Sequence, residues 1–211
     1  MFSASQEFDK QVDTLLQKGY PKLAGITHNE FKDKLLSLKQ NLIDSSFSLD
    51  ILNGKVPFVI VVKSTLVSTE KAMLVVDKND KNGITKLNPL KPQDFETIPT
   101  VKVPNGEVYL LIDIDRGKET LNVTPASAFD LIISQKRSPL TIDEGVALVT
   151  HYPEFLIKNN CFSLLASRHV GDKRVPAIWI NGAKNPNLGW CWNGNPHTWL
   201  GSASCSKRVG V

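Results

Sequence analysis

Two apolar runs, Phe58-Val-Ile-Val-Val62 and Tyr109-Leu-Leu-Ile112, constrain this chain more than any other feature. Both are strand length, and the first is β-branched, follows Pro57 and reads as a strand buried on both faces. Neither approaches the roughly 20 apolar residues that cross a bilayer, so no membrane span is expected. The second run continues through Asp113-Ile-Asp115 and alternates toward its end, which puts Asp113 and Asp115 on one side,. Two carboxylates on one face can bind a metal or work as an acid–base pair. A strand leaving the core toward Gly117 also commonly ends in solvated charges, so both readings stand.

Helical periodicity precedes these strands. Phe8, Val12, Leu15 and Leu16 fall on one face of a helix over residues 6–16, which Gly19-Tyr20-Pro21 should stop,. A second helix opens at Thr27 or Asn29 and carries Phe31, Leu35, Leu38 and Leu42,. Between the apolar runs, Met73 to Val76 reads as another strand, and Asn82-Gly83 as a hairpin turn into Ile84 through Leu87. Residues 77–83 do not match a calcium loop, because Lys81 stands at its fifth position. Pro89, Pro92, Pro99 and Pro104 leave room there only for a short edge strand around Val101,.

Thr124-Pro125 is an N-cap before a first-turn proline, and the helix it opens ends by Ser134. Thr141 and Glu144 have capping-box spacing for the next helix, which Tyr152-Pro153 interrupts. Residues 161–167, 175–180, 188–192 and 198–203 then read as four antiparallel strands. The expected fold is therefore α+β in one domain spanning residues 1–211: N-terminal helices, a mixed or antiparallel sheet, two central helices and a C-terminal antiparallel meander.

The net charge of +4 is spread over basic doublets rather than one patch, which argues against a nucleic-acid partner,. The start of the chain lacks a secretory signal pattern, and three cysteines without framework spacing suit a reducing compartment, so a cytoplasmic location is expected,.

The chemistry-bearing residues concentrate after residue 150. All three cysteines, all four tryptophans and His151, His169 and His197 lie there. Zinc sites usually bring paired ligands two to four residues apart, and no such pair exists, so no metal site is assigned. Cys191 with His197 is the candidate catalytic pair, thiol and base, across the turn Asn193-Gly-Asn-Pro-His197; the strand register decides whether they meet. Free cysteine is also a small buried hydrophobe. Arg168, Asp172, Trp190, Trp192, Asn195 and Trp199 are candidate ligand-binding residues, with Arg174 crowding the same loop as Arg168 and Asp172. The tryptophans could equally be core.

Three segments carry a family resemblance: Arg137-Ser-Pro-Leu-Thr-Ile-Asp-Glu-Gly145, Val175-Pro-Ala-Ile-Trp179 and Gly189-Trp-Cys-Trp-Asn-Gly-Asn-Pro-His-Thr-Trp-Leu-Gly201. They resemble the bacterial domain-of-unknown-function family 5701. The likeness covers nearly the whole chain and implies one family domain but no activity, cofactor or site residues. Two function classes follow. One is a protein binding or acting on a small polar molecule in a Trp/Cys/His-lined pocket, with cofactors unknown. The other is a non-catalytic interaction or structural module with an aromatic core.

Overall fold

The computed structural model describes residues 2–42 and 49–211. The chain opens with helices α1 (Ala4–Gln17), α2 (Tyr20–Ala24) and α3 (His28–Lys39), followed by β1 (Lys55–Val62), α4 (Thr69–Leu74), β2 (Ile84–Thr85), β3 (Glu96–Thr97) and β4 (Val108–Asp115). Next come α5 (Pro125–Ser134), β5 (Ser138–Pro139) and α6 (Ile142–His151). Seven short strands finish it: β6 (Cys161–Ser163), β7 (Ser167–Arg168), β8 (Arg174–Ile180), β9 (Pro186–Trp192), β10 (Leu200–Ser202), β11 (Ser204–Cys205) and β12 (Lys207–Val209). The α+β class is as the sequence pattern requires. No helix among the described residues is long and apolar enough to cross a membrane.

Local signals set the helices. Thr27 with Glu30 and Thr141 with Glu144 both form complete capping boxes, and Thr124 caps α5 ahead of Pro125,. Gly19 closes α1 at a φ of 75°, a left-handed conformation that costs glycine little,. Tyr20-Pro21, expected only to stop a helix, instead opens α2, where proline is tolerated in the first turn,. Met73 to Val76 is not a strand. Met73 and Leu74 end α4, and Met73 and Val76 are fully buried, because a short apolar run satisfies a buried helix as well as a strand,.

β1 and β4 pair antiparallel at the centre of the core, with Phe58 opposite Ile112. Their sheet runs β1-β4-β11-β5, and β12 also pairs with β4. β1 is an edge strand, and polar side chains close that edge. The Gln11 side chain donates to the Phe58 carbonyl (3.0 Å) and accepts from the Ile60 amide (2.8 Å), while His151 Nε2 donates to the Ile60 carbonyl (3.0 Å),. Asp113 and Asp115 do not form a paired-carboxylate site: Asp113 accepts from Arg137 (2.6 Å) and Asp115 is paired with Lys55.

The second sheet runs β10-β6-β8-β9-β2, and β3 and β7 form a separate two-stranded pair at residues 96–97, ahead of the edge strand expected around Val101. β6, β8 and β9 make the expected antiparallel meander. The fourth strand departs from it. β10 pairs with β6 and runs parallel to it, on the far side of the sheet from β9, so residues 193–199 are a crossing connection rather than a hairpin turn,. Asn82-Gly83 is likewise not a hairpin turn: the turn lies at residues 78–81, closed by the bridge between Asp77 and Asn82, and Gly83 leads into β2, which joins the edge of β9 in parallel.

Candidate functional site

β8 and β9 place the aromatic residues. Cross-strand partners share a sheet face, so Arg174 faces with Trp192 and Pro176 with Trp190, while Trp179, opposite Asn187, lies on the face that also carries Cys191,. Glycine is required at 189: a Cβ there would stand 2.2 Å from the Trp179 ring. The crossing connection then brings back Trp199, edge-on to Trp179 at 6.0 Å between centroids, and His197, 5.2 Å from Trp199. Backbone bonds hold this connection at Asn193 (to Lys173, 2.8 Å) and at the His197 carbonyl (from Asn122, 2.8 Å).

These elements line an open cavity of about 350 Å³. Its walls are all four tryptophans, with Cys191, Asn195, His197 and Leu200. β2 pairs with β9 only at Asn187 and Leu188. Trp190 and Trp192 from one face of β9 and Trp179 from the other face of the sheet all line this space. Trp190 and Trp192 meet edge-on at 4.9 Å, and the Trp190 indole donates to the Asn88 carbonyl (3.0 Å).

Six of the eight residues singled out from the sequence therefore line one cavity, and two do not. Arg168 lies against a neighbouring cavity of about 340 Å³ with Phe129, Leu165 and Asn193, its guanidinium reaching Asn193 Oδ1 at 3.4 Å. Asp172 acts at one remove, accepting from the Arg174 amide (2.6 Å) and ion-pairing with its guanidinium. Of the three charged residues that crowd this loop, Arg174 is the one that reaches the indoles. Its guanidinium lies over both Trp190 (4.8 Å) and Trp192 (5.2 Å), a cation–π stack pinned by Asp172,.

Cys191 and His197 share the cavity without bonding to each other. The Cys191 thiol contacts Ser163 Oγ at 3.8 Å, and burial pushes its pKa up, with Ser163 and Arg168 pulling against that. His197 lines the cavity, and its Nε2 is buried without a hydrogen-bond partner among the described residues. An activated thiolate needs the opposite shift. Cys191 is therefore expected to resist a neutral maleimide at pH 7 until denaturant is added, as peptide mapping by mass spectrometry would show. Rapid labelling of the folded protein would restore a nucleophilic role. Among the described residues, no three His, Cys, Asp or Glu side chains gather to hold a metal ion.

The model of a family of unknown function, DUF5701, matches residues 14–211. The chain belongs to this family. β8, β9, the crossing connection and the start of β10 all lie within the DUF5701 match, so the aromatic cavity is built wholly from family sequence. No curated protein and no solved structure gives a significant match to the chain. Membership of DUF5701 assigns no activity.

Proposed function

We propose that this DUF5701 protein is a small-molecule-binding protein whose ligand, a small polar molecule with a ring or other flat face, stacks among Trp179, Trp190, Trp192 and Trp199. The observation carrying this reading is that every tryptophan of the chain lines one cavity. Pockets of this kind combine apolar and aromatic walls with a few polar groups that orient the ligand. Here the polar side chains on the wall are Asn195 and His197, and the Arg174 cation stacks on two of the indoles from outside it. The exposure of Trp192, at 42 %, favours a pocket over a sealed aromatic core acting as an interaction or structural module. The raised Cys191 thiol favours binding over thiol catalysis. Three free, buried cysteines agree with a reducing, cytoplasmic setting,.

Intrinsic fluorescence tests this directly, because all four emitters line the cavity. Titration with a library of small polar ring compounds is expected to produce saturable quenching or a spectral shift. Trp199→Ala should weaken the response to a hit by about tenfold, the upper range for losing one aromatic contact. A flat response across the library at millimolar concentration would sink the proposal and favour the interaction module.

A further inference from the structure

A second cavity, of about 400 Å³, is formed by segments far apart in sequence: the turn after β1, the start of α4, residues 92–103 and the N-terminus of α6. It contains no tryptophan. Its wall carries one cation and one anion, Lys63 and Asp143. The Lys63 ammonium donates to the Pro104 carbonyl and sits 5.9 Å from the Tyr109 ring centroid, which leaves two of its three protons for other partners,. The Asp143 carboxylate uses one oxygen, Oδ2, to accept from the Ser64 amide (3.0 Å) and hydroxyl (3.2 Å). Among the described residues, no donor meets its Oδ1.

Opposite charges that line one cavity normally close on each other if the side chains can reach. Here they do not come within the 4.0 Å of a salt bridge, although the Lys63 charge is close enough to act on Asp143. Lys63 is instead held by the Pro104 carbonyl, and Asp143 by the amide and hydroxyl of Ser64, the residue after Lys63. Phe95 and Ile142 supply an apolar patch on the same cavity. A site with a fixed cation, a fixed anion and an apolar wall matches a ligand with the mirrored arrangement. Burial raises the Asp143 carboxyl pKa, and a ligand ammonium at Oδ1 would oppose that shift,.

We propose that this cavity binds a small zwitterion of the amino-acid type, its carboxylate toward Lys63, its ammonium toward Asp143 Oδ1 and its side chain against Phe95 and Ile142. Its volume lies near the lower end for small-molecule sites, roughly 300–1,000 Å³, which suits a free amino acid better than a peptide. This site is separate from the tryptophan cavity and does not depend on that cavity having a ligand.

Isothermal titration of the full chain with glycine, L-leucine and L-phenylalanine tests it, with isoamylamine and 4-methylpentanoate as the one-charge analogues of leucine. At least one amino acid should bind, with each analogue at least tenfold weaker than leucine where leucine is the ligand. Lys63→Met and Asp143→Asn should each weaken binding at least tenfold, and tryptophan fluorescence should stay unchanged throughout. If Asp143→Asn fails to fold, Lys63→Met, which alters a half-buried side chain of the cavity wall, decides alone. Absence of heat for all three amino acids at 10 mM, on the order of the weakest affinities worth calling binding, overturns the proposal. So does 4-methylpentanoate binding as tightly as leucine, which would make this a plain anion site, or Lys63→Met leaving affinity intact.

Discussion

Glu144→Ala is expected to destabilise the protein by about 3–5 kcal/mol, the range for removing one partner of a buried ion pair. For a chain of this length that is a fall in melting temperature on the order of 10 °C. Glu144 is completely buried and all its acceptor capacity is used. Oε1 accepts from Tyr109 Oη (2.8 Å) and Arg208 Nε, and Oε2 accepts from Arg208 Nη2 (2.8 Å) and the Thr141 amide (2.8 Å). Alanine would leave the Arg208 guanidinium, 5 % exposed, without its counter-charge and would strip α6 of half its capping box. Arg208 also donates to Ser138 Oγ and to the Pro139 carbonyl, so the pair ties β12, β5 and α6 together. Urea unfolding followed by circular dichroism measures the loss. The double variant Glu144→Leu/Arg208→Met, which removes both charges, should recover most of it, because the cost comes from an unpaired buried charge rather than from absence of the pair. A single-variant loss below about 1 kcal/mol would show that the cluster is solvated in solution.

Folding stability should fall as pH drops below about 6.5, and His151 is the main cause. The imidazole is buried at the end of α6 and bonded to the Ile60 carbonyl through Nε2, while Nδ1 has no partner among the described residues. A carbonyl can only accept, so Nε2 carries the proton and the ring is held neutral. Burial pushes its pKa down from 6.5 to about 4, with the Ile60 bond opposing it and Lys18, just past α1, and Lys10 of α1 adding to it. The folded pKa lies below the unfolded one, so the unfolded chain binds more protons between these values. The stabilisation is complete above pH 6.5, shrinks as pH falls and is gone below about 4. At about 1.4 kcal/mol per pH unit, the loss is on the order of 3 kcal/mol. Asp143 works in the opposite sense, because its carboxyl pKa is raised and the folded state gains from its protonation. His151→Gln can still donate to Ile60 but cannot ionise, so unfolding free energies measured from pH 7 to 4 should show a much flatter acid limb. An unchanged slope would assign the acid sensitivity to other groups.

The start of α3 is left open between Thr27 and Asn29, whereas the capping box at Thr141, the cap at Thr124 and the cores of β1, β4, β8 and β9 are all legible in the amino-acid sequence. Each depends on residues no more than about four positions apart or on a simple alternation. The concentration of tryptophans after residue 150 is equally visible, and β8 and β9, joined by a short turn, bring three of them together locally. The same pattern could not show that Met73 ends a helix, since an apolar run of four residues buries equally well in either element. Nor could it show that β10 crosses to pair with β6, which moves His197 and Trp199 from an expected hairpin into a connection over the sheet. Arg168 and Asp172 sit a few residues apart yet serve different surroundings, one beside a neighbouring cavity and the other clamping Arg174. Glu144 shows both kinds of information in one side chain. Its bond to the Thr141 amide follows from a three-residue spacing, whereas its partner Arg208 lies 64 residues away. Lys63 and Asp143 likewise share a cavity across a long stretch of sequence. Local sequence determines caps and periodicity because those interactions close within one helical turn or one strand pair. Strand order and the pairing of distant charges are decided by the tertiary structure, because only burial of the whole core offsets the entropy of closing such long loops.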